Sequence, residues 1–159
     1  VVYGTGGKRT LPIDSFFNGP GSTALGENEL LQSITIPEMP KRTATDFLKY
    51  GRRSAMEISI ASVAARLTMD EEEDVCQSAR IALGAVAPTP LRVREAERVL
   101  EGQKLTTEIL DAAAEIVKRS ISPISDVRAS AEYRREISGI LVKRVLDRCH
   151  VILTGHTVS

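Results

Sequence analysis

An α+β fold, a three-stranded antiparallel sheet with a three-helix layer, is predicted by two features of the sequence. Residues 45–86 contain segments in which apolar and polar positions alternate with the period of a strand. Residues 89–150 contain segments in which capping residues are followed by apolar positions at helical spacing. Strands followed by helices is the order of an α+β domain rather than of an alternating α/β one.

Composition sets the frame for these elements. A chain of 159 residues is one ordinary domain, or a small domain with a piece of another. With 42% hydrophobic and 26% charged residues it has the makeup of a globular chain, not a disordered one. Lys+Arg and Asp+Glu are 21 each, so the net charge is zero and the basic excess expected of a nucleic-acid binder is missing. No apolar run approaches the roughly 20 residues that span a bilayer, so no membrane span is expected. The first residues show no basic leader with an apolar stretch, and the expected compartment is the cytoplasm. Val1-Val2-Tyr3 reads as the middle of a strand, which suggests part of a longer polypeptide. Cys76 and Cys149 lie in no framework of close spacings; they read as two buried free thiols, with a disulfide between them as the alternative.

Residues 1–28 are dense in Gly, Pro and Asn, with apolar pairs interleaved, and predict short strands and ordered loops. Glu27–Pro37 ends in the alternation Ile34-Thr35-Ile36 and reads as a closing strand, followed by a linker over 38–43. Thr45–Arg53 is a predicted strand. Ile58–Met69 puts Val63, Ala65, Leu67 and Met69 on one face, and Val75–Val86 does the same with Val75, Ala79, Ile81 and Leu83. The acidic run Asp70–Asp74 between them lacks the spaced ligands and glycine of a calcium loop and reads as a solvated hairpin tip. Thr89-Pro90 predicts a helix start, with the helix running to Leu100 or Glu101 and stopping at Gly102. Thr106 and Thr107 open a second helix with the stripe Ile109, Leu110, Ala113, Ile116, Val117, ended by Ser122-Pro123. Ser130 caps a third, with the stripe Tyr133, Ile137, Ile140/Leu141, Val145 and Arg148/Cys149.

Few residues suggest chemistry. Gly4-Thr5-Gly6-Gly7 could form an anion-binding nest but precedes no helical pattern, so it reads as a plain turn. His150 and His156 fall in what reads as an exposed, frayed C-terminus, and with Cys149 they do not make the three or four convergent ligands of a metal site. No nucleophile–base pair can be assembled, so no catalytic residue is predicted. Lys49, Arg52 and Arg53 cluster at a strand end, either as solvated edge charges or as cations beside an electron-rich cofactor. Asp126-Val127-Arg128 followed by Tyr133-Arg134-Arg135 is a polar, tightly specified stretch in which Asp126 and Arg128 read as tying the loop to the third helix by charge-assisted bonds, with a substrate-carboxylate site as the alternative.

Five strings in order carry a further signal. They are Ile13-Asp14-Ser15-Phe16-Phe17-Asn18-Gly19-Pro20-Gly21-Ser22-Thr23-Ala24-Leu25; Glu29-Leu30-Leu31 with Ile34-Thr35-Ile36-Pro37; Phe47-Leu48-Lys49-Tyr50-Gly51-Arg52-Arg53 with Met56-Glu57-Ile58-Ser59; Arg80-Ile81-Ala82-Leu83-Gly84-Ala85-Val86-Ala87-Pro88-Thr89-Pro90; and Pro123-Ile124-Ser125-Asp126-Val127-Arg128-Ala129-Ser130-Ala131-Glu132-Tyr133-Arg134-Arg135. Together they resemble the FAD-binding medium subunit of the molybdenum hydroxylases, the xanthine dehydrogenase and carbon monoxide dehydrogenase family, up to about Arg148. The resemblance implies that residues 1–41 are the C-terminal tail of the FAD-binding domain and 42–150 the flavoprotein C-terminal domain, while 151–159 match nothing. It implies FAD as cofactor, and as partners the N-terminal half of the FAD subunit, an iron-sulfur small subunit and a molybdenum-cofactor large subunit. In such complexes electrons pass from [2Fe-2S] clusters to FAD and on to NAD⁺, a quinone or oxygen. The glycine-rich loops that hold the FAD pyrophosphate lie in the family's first half and have no counterpart here.

Three positions carry over. Leu31 falls where the family places an apolar residue against the flavin, Lys49 matches the lysine that approaches the isoalloxazine, and Ile58 matches the position flanking the ring where the final acceptor arrives. Arg52 and Arg53 remain structural. The expected function is thus the C-terminal part of an FAD electron-transfer subunit, inactive as an isolated chain. The competing expectation is a non-catalytic subunit-packing domain that binds no flavin on its own.

Overall fold

The structure, a computed structural model, describes residues 1–53, 56–70 and 75–158. The chain divides into two units, Val1–Met39 and Pro40–Ser159.

In the first unit, β1 (Val2–Gly4) and β2 (Gly7–Arg9) form a hairpin whose turn is Thr5-Gly6, so the glycine cluster is a turn as its composition predicts. Gly7 sits at φ +103°, a conformation open to glycine and strained for other residues. Ile13–Ser15 is a single 3-10 turn, and β3 (Phe17–Gly19) pairs with β4 (Ser22–Thr23). The strand β5 (Glu29–Leu31) pairs antiparallel with β1. The alternation at Ile34–Ile36 does not form a strand: Pro37 follows, and the segment has no ladder partner to hold it extended.

Arg9 ties β2 to β5. Its Nε and Nη2 donate to the two carboxylate oxygens of Glu29 at 2.7 and 2.6 Å, and Nη2 also donates to the Ala24 carbonyl. The Gly26 amide donates to the same carboxylate. These bonds, led by that from Arg9, lower the Glu29 pKa to about 2. A depressed carboxylate stabilises the fold above its unfolded pKa and loses that contribution as pH falls towards the folded value. The hydrogen-exchange protection factors of the β1 and β5 amides, which are corrected for the intrinsic pH dependence of exchange, are therefore expected to fall between about pH 4.5 and 2 in the wild type, and Arg9→Ala should remove most of that change. An unchanged pH profile in the variant would count against this tie.

The second unit is the α+β body. The strands β6 (Thr43–Tyr50), β7 (Ala61–Met69), β8 (Cys76–Gly84) and β9 (Leu91–Arg92) form an antiparallel meander in that order. The helices α1 (Arg94–Leu100), α2 (Thr107–Ser120) and α3 (Ala131–Thr154) follow. The apolar faces of β7 and β8 bury Val63, Leu67, Met69, Ile81 and Leu83 against the helical layer, where Leu100, Val117, Val142, Val145 and Leu146 are fully covered. The alternation of strand residues and the helical stripes thus close one core. Cys76 and Cys149 are buried and free, and burial pushes both thiols up to about 12, which keeps them protonated and unreactive.

Several details depart from the expectations. The sheet has a fourth, two-residue strand: Leu91 and Arg92 pair with Leu83 and Ala82. For that reason Thr89-Pro90 does not start a helix, and α1 begins at Arg94, with Val93 at the cap and no side-chain cap bond. In place of a cap, Glu97 of α1 reaches back to the sheet, accepting from the Ile81 amide at 2.9 Å and from Arg92 Nε at 2.7 Å. Gly102 follows the helix at φ +79° and donates to the Cys76 carbonyl. In β8 the register passes from Met69↔Cys76 to Thr68↔Ser78, so Gln77 is an extra residue and Cys76, rather than Val75, enters the core. Four residues of the acidic tip, 71–74, lie outside the described residues; on its near side the Asp70 amide donates to the Val75 carbonyl at 2.9 Å.

The caps of the other two helices follow the sequence. Thr106 Oγ1 accepts from the Ile109 amide and Ser130 Oγ from the Tyr133 amide. Tyr133 and Ile140, assigned to the inward stripe of α3, are instead partly exposed, and Arg134, Ser138 and Val142 take buried places. His150 is also buried, because α3 continues to Thr154; its Nδ1 lies 3.1 Å from the His156 carbonyl oxygen. Only His156 matches the exposed C-terminus expected for both.

Candidate functional site

The strand β6 forms one edge of the four-stranded sheet, pairing with β7 alone. Period-2 geometry turns Ala44, Asp46, Leu48 and Tyr50 towards the helices and leaves Phe47 and Lys49 on the open side. Lys49 is opposite Ser62 in the register. Beyond Tyr50 the chain leaves the sheet over 51–60 and returns where the Ile60 amide donates to the Tyr50 carbonyl at 2.8 Å. Of the sequence-predicted residues on this segment, Lys49 and Ile58 are brought together: Lys49 Nζ donates to the carbonyl oxygen of Glu57, the residue before Ile58.

Glu57 shapes this segment. Its carboxylate accepts from the Arg53 amide and folds over Gly51, where an added Cβ would fall 2.6 Å from Glu57 Oε2. A side chain at 51 would push this carboxylate away from the Arg53 amide. Burial acts to raise the Glu57 pKa, but hydrogen bonds from the Arg53 and Arg52 amides and the charges of both arginines outweigh it, so the carboxyl is held below its ordinary value. The result is an open cleft of about 600 Å³ lined by Arg52, Arg53, Met56, Glu57, Ile58 and Arg128. Ile58 is 63% exposed, a large aliphatic side chain left mostly uncovered by the described residues.

Leu31 lies in the first unit, at the end of β5, and is 44% exposed. It lines an apolar cleft of about 200 Å³ together with Val2, Leu11, Phe16, Phe17 and Ile34. The rings of Phe16 and Phe17 meet edge to face there, with centroids 5.2 Å apart. Each of the three residues assigned to flavin packing is therefore on an accessible surface, and their chemistry suits a flavin: aliphatic side chains against ring faces, an ammonium near a ring that gains negative charge on reduction.

Arg134 resolves the alternatives left open for the Asp126 cluster. It is 3% exposed, and its Nη1 donates to the carbonyls of Ile60 and Ala85 at 2.6 and 3.1 Å while Nη2 donates to Asp126. Arg128 also bonds Asp126 through its amide and its guanidinium. Chiefly through the Arg128 amide, these donors hold the Asp126 carboxyl well below the usual carboxylate range. One guanidinium thus clips the start of α3 to both ends of the β7–β8 hairpin and to the loop before the helix. It anchors Ala85, a non-glycine residue at φ +64°. With Nη1 and Nη2 engaged by carbonyls and by Asp126, it serves as a structural tie.

Sequence reasoning assigned no role to Glu57, although the spacing Gly51-Arg52-Arg53 to Glu57 places a carboxylate where it can return to two amides. It also missed the outward cations of β7–β9, Arg66, Arg80 and Arg92, which the strict alternation with core residues could have revealed. Among the described residues no group of three or more His, Cys, Asp or Glu could hold a metal ion, and no helix is long and apolar enough to cross a membrane.

Comparison with known proteins fits this geometry. A xanthine dehydrogenase FAD-binding subunit of Escherichia coli O157:H7 is 33% identical over 147 residues, covering 92% of this chain and 50% of that protein. The carbon monoxide dehydrogenase medium chain of Hydrogenophaga pseudoflava is likewise 33% identical over 147 residues, with the same coverage. Among solved structures, the cyanide-inactivated Cu,Mo-CO dehydrogenase matches with a TM-score of 0.88 at 33% identity, over 94% of this chain and 51% of that one. The chain spans about half the length of the curated relatives it matches. The α+β class read from the sequence is that of these neighbours. Residues 46–149 match the CO dehydrogenase flavoprotein C-terminal domain, and the chain belongs to that family.

Proposed function

We propose that this chain is the C-terminal part of the FAD-binding subunit of a molybdenum hydroxylase. Residues 1–41 end the FAD-binding domain, 42–150 form the flavoprotein C-terminal domain and 151–159 are a tail. Leu31, Lys49 and Ile58 pack against the flavin. The complex has the remaining half of the subunit, an iron-sulfur small subunit and a molybdenum-cofactor large subunit as partners, and its compartment is the cytoplasm. FAD, when bound, supplies the redox chemistry, receiving electrons from [2Fe-2S] clusters and delivering them to NAD⁺, a quinone or oxygen.

The observation that carries this reading is the pairing of Lys49 with the Glu57–Ile58 segment on the open edge of β6, in a domain of this family. The side chains themselves do three things. Ile58 and Leu31 present aliphatic surface that covers ring faces and excludes water. The Glu57 carbonyl holds the Lys49 ammonium at one place, so the positive charge is fixed rather than free to swing. That fixed charge favours a neighbouring group in its more negative state. The short strands of residues 1–39 include no strand–loop–helix unit for a pyrophosphate, so affinity for the cofactor must come mainly from elsewhere in the subunit.

This division of labour is tested by colour. The protein made from the complete reading frame should absorb at about 450 nm, the flavin band, and release FAD on denaturation. Residues 1–159 alone should be colourless after reconstitution with FAD and desalting. A colourless complete protein would contradict the reading, and so would retention of one FAD per chain by residues 1–159 alone.

A further inference from the structure

The open face of the four-stranded sheet carries a charge pattern of which the flavin reading uses Lys49 alone. Its outward positions include Lys49, Arg66, Arg80 and Arg92, and no carboxylate among the described strand residues. Arg66 and Arg80 are directly opposite each other across β7 and β8. Like charges in that relation repel. Arg80 is partly offset by Glu101, at 3.3 Å, and Arg92 by Glu97, at 2.7 Å. Arg66 has no such acid, and its Nε is buried without a hydrogen-bond partner among the described residues. The charge of Arg66, uncompensated beside Arg80, would be relieved by an anion that reaches the open side of the pair.

The shape indicates what kind of anion. Next to the arginine pair, Ala64 faces Ala82, and these small side chains form the floor of an open cleft of about 550 Å³. Phe47, 58% exposed, stands at its side. With strands spaced about 4.8 Å apart, the face is roughly 15 Å wide. This is a shallow surface suited to a polypeptide segment, not an enclosed hole that would bury a small molecule.

We propose that this face docks an acidic segment of a separate partner subunit, with an Asp or Glu carboxylate seated between Arg66 and Arg80 and the segment's backbone lying over Ala64 and Ala82. A planar carboxylate accepts paired hydrogen bonds from a guanidinium, which a water network cannot replace at equal strength. The proposal rests on the reading of the chain as one subunit of a larger enzyme.

The test uses the purified complex built with the complete subunit. With Phe47 replaced by the photo-crosslinker p-benzoylphenylalanine, irradiation and mass spectrometry should locate the crosslink in a partner polypeptide, within a stretch rich in Asp and Glu. Arg66→Glu should weaken subunit association by about tenfold or more, with a shallower dependence on salt, whereas Arg66→Lys, which keeps the charge but not the paired bonds, should fall between that variant and the wild type. Crosslinks confined to the same chain, to a second copy of it or to a segment without acidic residues would overturn the proposal. So would unchanged association of Arg66→Glu. Flavin content is read on the same samples: normal flavin with no acidic crosslink refutes the docking surface alone, whereas a colourless complete subunit refutes the functional reading.

Discussion

Replacing Arg134 with Met should lower the unfolding free energy of the chain by about 3 kcal/mol, the magnitude expected when a buried hydrogen-bonded charge is removed from its partners. Methionine can fill most of the volume of the side-chain stem, so the loss is one of bonds rather than of packing. The carbonyls of Ile60 and Ala85 would each lose a donor that approaches within 3.1 Å, and Asp126 would lose one of its two guanidinium partners. Ala85 would also lose the anchor of its left-handed backbone. Arg134→Lys should recover little, since a single ammonium cannot span acceptors on the hairpin and on the loop before α3. Denaturant unfolding followed by circular dichroism measures the change. A loss below about 1 kcal/mol would mean that the clip is dispensable and that the helix is held by its apolar face alone.

The clip also shows how much of this fold was legible. Asp126 and Arg128 were readable as a tie because opposite charges before a capped helix start are within reach of each other, whereas nothing local told Arg134 from Arg135 as its third member. Its destination was not readable, because Ile60 and Ala85 are 74 and 49 residues away in the chain. The core strands were legible for a stronger reason: Val63 to Met69 and Ala79 to Leu83 repeat with the period of the pleat, and a one-residue slip would expose them all. Thr89-Pro90 misled because its local chemistry is that of a helix start, whereas Leu91 and Arg92 gain ladder bonds by remaining extended beside β8. Burial of His150 was hidden in a similar way. Helix α3 does not fray at residue 150 but continues to Gly155, whose amide donates to Val151 at φ +84°.

The candidate site was legible only in part. Alternation placed Lys49 on the solvent side of its strand, and the resemblance supplied a reason for a lysine there. Nothing local foretold that Glu57 would turn back over Gly51 and present its carbonyl to that lysine, since the turn is held by the backbone amides of Arg52 and Arg53. Family strings and strand periodicity carry different information. The strings point to positions, and only the fold indicates which of them share a surface.

The potential of the bound flavin tests Lys49 most directly. A fixed ammonium near the ring stabilises the reduced, more negative state, so the potential should be higher with Lys49 than without it. A unit charge a few ångströms away in a partly solvated site contributes about 1–2 kcal/mol, which for a two-electron couple is roughly 20–40 mV. Spectroelectrochemistry on the complete subunit should therefore show the midpoint falling by roughly 20–40 mV in Lys49→Ala and staying near wild type in Lys49→Arg, with flavin content unchanged in both. A Lys49→Ala protein that retains its flavin at the wild-type potential would contradict placement of this lysine against the cofactor.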